Sequence, residues 1–321
     1  MSDYYIKVTG SGTGAGTSGD PFTMQQFVDL VETTLSHNDN VHIGSGTHTL
    51  TTTWNLTVDG VNYYGDTSAR PVIQWQNTLD YFLVKAGNDN RLFDHIVFDC
   101  NGFQSTGSSA NYVAFSREQF SNCKFISVGT DIPQFNGDCN FFRCEFSGGS
   151  RLHGGTLVQC AIHGMTGTTG AVYSSRVFNC ALFGNTVGVA STSSGQVCQG
   201  SFVYGNTNDM KFTGSGYYKS ISNNVFGDMT GNIYLYKWSL YNNLYESIVG
   251  SPNLPRINLN PTVMVADPFT DAANGDFRLT LAAKQTGYVN DIRRIMAMIK
   301  GVPSIQIDDD FIGTFQYRPF G

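Results

Sequence analysis

The chain has 321 residues, enough for one large domain or two ordinary ones. Only 14% of the residues are charged, and 19 basic against 25 acidic residues give a net charge of −6. The sequence has no cluster of five or more basic residues, which argues against a nucleic-acid partner. No uninterrupted apolar stretch is long enough for a membrane-spanning helix, so we expect no membrane insertion.

The N-terminal sequence MSDYYIKVTGSG has no basic segment followed by an apolar one, so we expect no secretory signal. Seven cysteines without an export signal favour reduced thiols, packed as small apolar groups, over a disulfide framework. A zinc site would need paired cysteines or suitably spaced histidines, and the close pair Cys139 and Cys144 has neither beside it. We therefore expect no metal and no cofactor.

A helix is predicted close to the N-terminus. Thr23 and Gln26 have the spacing of a capping box, which marks a helix start. The apolar residues that follow at helical spacing are Met24, Phe27, Val28, Val31 and Leu35. We expect a helix from about 23 to 36 that covers one end of the fold, with residues 1–40 forming an N-terminal strand and capping helix.

A repeat of about 21 residues fills the centre of the chain. FSNCKF at 120–125 recurs as FFRCEF, LVQCAI and VFNCAL. Two apolar columns, five residues apart, align eight units. The first column contains Phe93, Phe120, Phe141, Leu157, Val177, Val197, Ile221 and Leu240. The second contains Phe98, Phe125, Phe146, Ile162, Leu182, Phe202, Phe226 and Tyr245.

Between these columns the sequence alternates as a strand does. Two residues before the second column come Ile96, Cys123, Cys144, Cys160, Cys180, Gly200, Asn224 and Asn243. Each is preceded by a polar residue. The units are too short for strand–helix–strand crossovers, so we expect strands stacked in parallel at roughly 4.8 Å per coil. Residues 41–250 are thus predicted to form a parallel β-helix of roughly ten coils with cysteines in its core and Asn or Gln ladders.

Residues 251–321 are predicted to form a C-terminal cap or tail of the same single domain. SPNLPRINLNPTVMVADPF indicates an extended loop. A second amphipathic helix follows, which Gly301 would end. Its apolar face contains Ile292, Ile295, Met296 and Ile299. The last residues, IQIDDDFIGTFQY, indicate a final strand.

The two ends of the chain resemble a known group. YYIKVTGSGTGAGTSGDPF, the helix starting TMQQF and VHIGSGTHTL are similar to the opening of right-handed β-helix proteins of the pectate-lyase-like superfamily. DPFTDAANGDFRLT with FIGTFQY resembles the closing motif of that group, although the segment around the second helix departs from it. The resemblance implies an all-β, right-handed parallel β-helix. Members include polysaccharide lyases, glycoside hydrolases, adhesins and bacteriophage virion proteins such as tailspikes, so the fold leaves the function open.

Catalysis would need outward-facing residues on neighbouring coils. A hydrolase needs a carboxylate pair, and a lyase needs a base with charge neutralisation of a uronate. The position between the two inward columns contains Val97, Lys124, Glu145, Ala161, Ala181, Ser201, Val225 and Leu244. Lys124 and Glu145 there indicate a surface ion pair. The remaining catalytic candidates, weaker than the interpretation as solvated loop side chains, are Asp131, Asp138, Glu145, Arg151 and His153.

The outward surface suggests binding instead. From Ala161 to Leu244 the outward column is small or apolar, so either the C-terminal segment or another subunit should cover it. An aromatic row for binding a glycan or a partner is predicted at Tyr217, Tyr218, Tyr234, Tyr236 and Trp238. The alternative is that the C-terminal tail covers this row.

We therefore expect a non-catalytic structural protein of a bacteriophage virion, as a head-decoration or tail-associated β-helix. It would dock on other virion proteins, with a homotrimer as one arrangement, and bind host-surface polysaccharide. Two alternatives remain open: a polysaccharide lyase or glycoside hydrolase of the tailspike type, and a bacterial surface adhesin, which would need an export route.

Overall fold

A computed structural model describes the chain with gaps. The described residues are 1–10, 15–75, 83–85, 90–99, 117–126, 139–149, 152–153, 155–168, 170–173, 175–191, 197–212, 219–222, 224–231, 238–241, 243–249, 262–264, 268–286 and 289–307. The chain folds as a right-handed parallel β-helix, as expected. It divides into two compact units, residues 1–155 and 156–321. Whether one domain spans both units, with the boundaries given above, stays a prediction.

The first unit consists of short strands. They are β1 (Asp3–Ile6), β2 (Asn40–Ile43), β3 (Thr47–Leu50), β4 (Trp54–Leu56), β5 (Asn62–Gly65), β6 (Val72–Trp75), β7 (Leu83–Lys85), β8 (Leu92–Asp94), β9 (Val97–Asp99), β10 (Gln119–Ser121), β11 (Lys124–Ile126), β12 (Asn140–Phe142), β13 (Glu145–Ser147) and β14 (Leu152–His153). One parallel sheet runs β1-β2-β5-β8-β10-β12, and a second runs β3-β6-β9-β11-β13. Equivalent residues of successive coils therefore lie in register.

Two columns of phenylalanine fill the core of this unit. Phe120 stacks between Phe93 and Phe141, with ring centroids 5.1 and 5.0 Å apart. In the second sheet Phe125 stacks on Phe146 at 4.9 Å, and its ring also lies edge-on to Phe120 at 5.3 Å. These rings are almost fully buried. Both predicted inward columns are confirmed here, and offset and edge-to-face ring contacts stabilise them.

A left-handed residue forms the corner between the two sheets. His95, Asn122 and Arg143 have φ angles of 58°, 52° and 51°. This conformation turns the chain sharply, and Asn and His tolerate it better than most non-glycine residues. The cysteine that follows each of the last two corners, Cys123 and Cys144, points its thiol into the core. The polar residue at this position of the repeat is therefore explained by the left-handed backbone conformation of the corner.

The N-terminal helical segment is present but irregular. The Thr23 side chain accepts a hydrogen bond from the backbone N–H of Gln26, and the Gln26 side chain accepts one from the N–H of Thr23. This confirms the predicted capping box. The segment consists of the α-helical turn α1 (Met24–Gln26), a π-helical turn (Phe27–Val31) and a 3₁₀ turn (Glu32–Thr34). Met24, Phe27 and Leu35 are buried, as the helical spacing predicted.

The second unit repeats the strand pattern and adds helices. Its strands are β15 (Thr156–Val158), β16 (Ala161–His163), β17 (Val172–Tyr173), β18 (Arg176–Phe178), β19 (Ala181–Phe183), β20 (Val187–Ser191), β21 (Val197–Gln199), β22 (Phe202–Val203), β23 (Asn208–Phe212), β24 (Lys219–Ser222), β25 (Val225–Gly231), β26 (Trp238–Tyr241), β27 (Leu244–Val249), β28 (Thr262–Val263), β29 (Phe269–Asp271) and β30 (Asp276–Leu279). Its helices are a 3₁₀ turn (Ala272–Asn274), α2 (Leu281–Lys284) and α3 (Val289–Ile299).

Register in one coil of this unit differs from the sequence alignment by one residue. Leu182 lies opposite Val203, so Phe202 pairs with Ala181 and belongs to the outward column. Likewise Cys198, and not Val197, lies opposite Val177 in the inward column. A slip of one residue exchanges the two faces of a strand. The sequence pattern predicts the wrong register here because Phe202 is larger than Val203 and is therefore the expected inward residue.

Ser201 shifts with this register. It was predicted to face outward but is fully buried, at the position that Cys180 occupies one coil earlier. The residue at the corner is then Gly200, with a φ of 63°, matching Gln159 and Asn179 at 54° each. The left-handed corner is thus common to both units.

Two asparagine ladders run through the second unit. Asn185 donates to the side-chain oxygen of Asn206 at 2.8 Å, and Asn206 donates to Asp209 at 2.8 Å. In the other ladder Asn224 donates to Asn243 at 3.0 Å. Each asparagine side chain also reaches backbone groups, which satisfies the polar atoms that the coil buries. Asparagine ladders are thus present as expected, and the side chains of Asn185, Asn224 and Asn243 are buried inside the coil.

The C-terminal residues cover the outward apolar column of the second unit. Helix α3 buries all four predicted residues, Ile292, Ile295, Met296 and Ile299. They form one apolar cluster with outward residues of the strands. The outward members are Ala161, Ala181, Phe202, Val225 and Leu244. We call β29, β30, α2 and α3 together the C-terminal cap. Of the two predicted covers, the C-terminal segment is the one found.

One detail of the C-terminal prediction needs revision. The stretch predicted as an extended loop contains β28, whose Thr262 pairs in parallel with Leu244, so the ladder continues beyond Tyr245. Within the segment that resembles the closing motif, Phe269–Asp271 and Asp276–Leu279 form the antiparallel pair β29–β30. The predicted final strand lies outside the described residues from 308 onward. Within the described parts of the chain, no helix is long and apolar enough to cross a bilayer.

Candidate functional site

Glu145 is the one predicted catalytic residue whose side-chain contact is described, and its partner is Lys124. Lys124 and Glu145 lie opposite each other in β11 and β13, and the Lys124 ammonium is 2.8 Å from the Glu145 carboxylate. The predicted ion pair is present. The description as a surface pair is wrong for Glu145, because its side chain is only 7% exposed. A buried carboxylate of this kind needs its partner, since removing one charge would leave the other desolvated.

The other catalytic candidates are not tested by the structure. Asp131, Asp138 and Arg151 lie outside the described residues. His153 belongs to the short strand β14, of which only the backbone is described. Their roles stay predictions.

The predicted aromatic row is also largely untested. Tyr217, Tyr218, Tyr234 and Tyr236 lie outside the described residues. Trp238 starts β26, where its backbone lies opposite Lys219, and its side chain is not described.

A different polar and aromatic surface lies on the outward side of β1, β2 and β5. The inward residues of these strands, such as Ile6, Val41 and Tyr63, are fully buried. Because side chains alternate along a strand, their neighbours must face away from the core. We call this surface the N-terminal outward face. Its residues are Asp3, Tyr5, Asn40, His42, Asn62 and Tyr64.

Three rings stack along this face. The ring of His42 lies between those of Tyr5 and Tyr64, with centroids 4.9 and 5.8 Å away and interplanar angles of 19° and 26°. Parallel register places the three side chains directly above one another, as in the phenylalanine columns of the core. Here the stack is partly exposed, and the His42 side chain keeps 39% of its accessible surface. Its ring edges and polar atoms are available to a ligand.

A row of hydrogen-bonded polar side chains runs beside the rings. Asn62 donates to the side-chain oxygen of Asn40 at 3.2 Å, and Asn40 donates to the carboxylate of Asp3 at 3.0 Å. The Nε2 atom of His42 is 3.2 Å from the same carboxylate oxygen. The hydrogen bond from Asn40, followed by that from His42, lowers the pKa of Asp3. The carboxylate is therefore ionised at neutral pH.

Asp94 continues the aromatic column by one coil, because it lies opposite Tyr64 in the sheet. Its carboxylate accepts a hydrogen bond from the side chain of Asn122 at 3.0 Å. The other carboxylate oxygen lies 2.8 Å from Nδ1 of His95, without hydrogen-bond geometry. A second carboxylate thus lies next to the ring stack.

The column ends in the first unit with an exposed aromatic residue. Ser121 lies opposite Asp94, and Phe142 lies opposite Ser121. Phe142 is 43% exposed, and the guanidinium of Arg143 lies 5.0 Å from the centre of its ring. The Arg143 guanidinium thus makes a cation–π contact with an exposed aromatic ring.

The arrangement is suited to a polyhydroxylated chain. Amide, carboxylate and imidazole groups exchange hydrogen bonds with hydroxyls, and aromatic rings contact the apolar parts of sugars. The coil spacing of roughly 4.8 Å is close to the length of one hexopyranose unit. Among the described residues, no group of three or more His, Cys, Asp or Glu side chains is placed to hold a metal ion.

Sequence reasoning missed this face because the repeat alignment began at Phe93. Phe93 lies opposite Tyr63, and Tyr63 lies opposite Val41, so the inward column extends two coils towards the N-terminus. Carrying the alignment back would have placed His42 and Tyr64, each one residue later, on the outward side. The signal was present, but those units lack the cysteine that made the others conspicuous.

No protein-family model and no characterised protein sequence matches the chain. Several solved structures resemble it. They include pectate lyase Pel9A (11% identity, 83% of this chain and 78% of that chain covered, TM-score 0.41), a rhamnogalacturonan lyase (11%, 88% and 98%, TM-score 0.47) and the alginate lyase AlyF-OU02 (12%, 79% and 66%, TM-score 0.49). At these identities the likeness concerns the parallel β-helix fold and not the activity.

Proposed function

We propose that the protein is a non-catalytic β-helix that binds a glycan along its N-terminal outward face. The observation that supports this most directly is the Tyr5–His42–Tyr64 ring stack beside the Asp3–Asn40–Asn62 row. Both rows run along the helix axis, so each coil presents one ring beside one amide or carboxylate group to a bound chain of sugars. The rigid sheet beneath them fixes the side chains before binding, which lowers the entropic cost of association.

The electrostatics of this face favour binding over glycoside hydrolysis. A general acid in a glycosidase needs a raised pKa, so that it is protonated at the working pH. Asp3 shows the opposite, because Asn40 and His42 lower its pKa. An ionised carboxylate with neighbouring amides is suited to accepting hydrogen bonds from sugar hydroxyls.

The test is binding to a panel of immobilised capsular and cell-wall polysaccharides. We expect Tyr64→Ala to weaken binding by roughly tenfold or less, the size expected for loss of one aromatic contact. The matched control is Thr47→Ala, which changes an exposed side chain on the second sheet of the same unit. Failure of the panel to bind, or equal losses for the two variants, would contradict the proposal.

We extend the proposal to the place of action, a bacteriophage virion assembled in the host cytoplasm. The six cysteines within the described part of the chain are thiols and are buried. Burial raises the pKa of Cys198 to about 12, and burial together with Cys160 raises that of Cys180. Buried, protonated thiols suit a protein that folds in a reducing compartment.

This part is tested by fractionation of cells that produce the protein with its genomic neighbours. The virion role, as head decoration or tail component, predicts that antibody labels purified particles and that a capsid or tail protein co-purifies with the chain. Recovery in the cell-envelope fraction would instead favour the adhesin alternative. Light scattering of the purified protein reports whether the predicted homotrimer forms.

Polysaccharide cleavage is the second candidate, favoured by the pair that the buried Glu145 forms with the partly exposed Lys124. A carboxylate beside an ammonium group provides the base and the charge neutralisation that elimination from a uronate requires. The assay measures new reducing ends and unsaturated uronates from a polysaccharide panel. Turnover that Glu145→Gln or Asp138→Asn abolishes, while the protein stays folded, would replace the non-catalytic proposal.

A further inference from the structure

The N-terminal outward face is negatively charged around its ring stack. Resting on the glycan-binding function proposed above, we infer that the face takes a glycan of neutral sugars, including N-acetylated ones, and rejects polyuronates. Asp3 and Asp94 are the residues that would determine this choice.

Asp3 provides the first charge. It shares a strand with Tyr5, at one end of the stack, and its side chain is 53% exposed. Its two described side-chain partners, Asn40 and His42, both belong to the face itself. The N-terminal ammonium also helps to lower the pKa of Asp3, but this ammonium lies 3.8 Å from the carboxylate of Asp39. A ligand on the face would therefore contact an exposed, ionised carboxylate.

Asp94 provides the second charge at the opposite end of the stack. It lies one coil beyond Tyr64 in the same outward column. The hydrogen bond from Asn122 holds it in place, and 25% of its side chain remains accessible. The ring stack thus has one carboxylate, Asp3, beside Tyr5 in its first coil and another, Asp94, one coil beyond Tyr64.

The charged residues next to the face do not outweigh the negative charges of Asp3 and Asp94. Lys7 follows β1 on the outward side and is exposed, but Asp66 follows β5 in the same way. The Asp66 carboxylate accepts hydrogen bonds from Ser68. With the ammonium groups of Lys7 and of the N-terminus against the carboxylates of Asp3, Asp66 and Asp94, these groups together carry one net negative charge.

Charge complementarity then separates two classes of glycan. A polyuronate has a carboxylate on every sugar, so no register along the axis avoids both Asp3 and Asp94. Like charges at such distances repel, and the repulsion weakens with salt. A neutral glycan offers hydroxyl or amide N–H donors instead, which form charge-assisted hydrogen bonds with the two carboxylates.

The experiment compares polygalacturonate with neutral glucans and an N-acetylglucosamine polymer. Wild-type protein should bind a neutral polymer at least about tenfold more tightly than polygalacturonate at about 0.1 M salt. The double substitution Asp3→Asn and Asp94→Asn should strengthen polygalacturonate binding at least about fivefold and narrow the difference between classes. Asparagine keeps an acceptor oxygen at each position, and circular dichroism melting verifies the fold. Asp291→Asn, at an exposed position on α3, is the matched control.

The outcomes separate this inference from the function on which it rests. If wild-type protein binds polygalacturonate as tightly as neutral polymers, or if the double substitution leaves the preference unchanged, the inference is wrong while glycan binding stands. If none of the polymers binds, glycan binding and the inference both fail. A preference for neutral polymers that the double substitution removes supports both.

Discussion

The hydroxyl of Ser201 accepts a hydrogen bond from the backbone N–H of Cys180 at 3.0 Å, as the thiol of Cys180 does from the N–H of Cys160 at 3.3 Å. One coil further, the side-chain oxygen of Asn224 does the same for Ser201 at 2.9 Å, and that of Asn243 for Asn224 at 3.1 Å. Cysteine, serine and asparagine thus perform one task in this column: each satisfies a buried backbone donor of the preceding coil.

Ser201→Ala should destabilise the protein, because it leaves the buried N–H of Cys180 without this acceptor. A lost partner of this kind typically costs about 1–3 kcal/mol. Ser201→Cys should cost less, since a thiol serves the same purpose at Cys180. Urea denaturation of the two variants measures the difference in free energy of unfolding. Equal losses would show that side-chain volume, and not the acceptor, determines this position.

The repeating coil was predictable because the core selects on size and polarity at fixed positions. Phe93, Phe120 and Phe141 stand out from a sequence poor in charge, and the parallel register follows from their spacing. The coil of Phe202 was harder to predict. There the outward side is as apolar as the core, because the C-terminal cap covers it. The strand therefore lacks the alternation of apolar inward and polar outward residues from which the two faces are recognised.

Asn179→Val should destabilise the second unit. Asn179 forms the corner with a φ of 54°, a conformation that a β-branched residue adopts poorly. The expected cost is about 1–2 kcal/mol. Asn179→Gly is the control, because glycine adopts this conformation without strain. Thermal melting of both variants checks this; a Val variant as stable as the Gly variant would contradict the assigned corner.

Phe125→Ala should destabilise the first unit more than any single surface change. The ring is buried between Phe98 and Phe146, at 5.0 and 4.9 Å, so its loss leaves a cavity. Removal of a buried phenylalanine typically costs about 3–5 kcal/mol. Phe142→Ala, at an exposed ring, should cost much less. Chemical denaturation of the two variants provides the comparison, and similar losses would argue against the stacked core.

Stability should fall as the solution is acidified below the usual histidine pKa of 6.5, with His48 contributing. Burial lowers the pKa of His48, although its bond to the Gly44 carbonyl partly opposes the shift. The unfolded chain therefore binds a proton at a higher pH than the folded one, and acid favours unfolding in the window between the two pKa values. The loss is complete once the pH is below the folded-state pKa.

The measurement is the free energy of unfolding as a function of pH for wild type and His48→Leu. The variant should show a shallower dependence over this window, by up to one proton per molecule. Thr47→Ala, which changes an exposed side chain without a titrating group next to His48, should keep the wild-type slope. A His48→Leu slope equal to that of wild type would contradict the assignment.

Ile295→Ala should loosen the C-terminal cap. Ile295 is fully buried against the outward column, and such truncations typically cost about 2–5 kcal/mol. Asn290→Ala, at an exposed position on the same helix, should have little effect. Limited proteolysis followed by mass spectrometry reports whether cleavage in α3 becomes faster. Unchanged cleavage would mean that the cap does not depend on this contact.

The candidate binding face could not be predicted from single residues of the sequence. Its residues, such as His42 and Tyr64, are unremarkable one by one, and only the register of three strands brings them together. The aromatic row predicted near Trp238 rests on alternation within residues 232–241 and on the tyrosines one coil before, whereas the ring stack forms between strands that belong to three separate segments of the chain.

The position of the C-terminal cap also has a consequence for biosynthesis. The outward apolar column from Ala161 to Leu244 is synthesised well before Ile292 and Ile295, which cover it in the folded protein. A nascent chain that stops in this interval exposes apolar surface and unpaired strand edges. Chaperones recognise such features, which also promote aggregation. Premature termination shortly before α3 is therefore expected to yield inclusion bodies, even though every coil of the solenoid has already been translated.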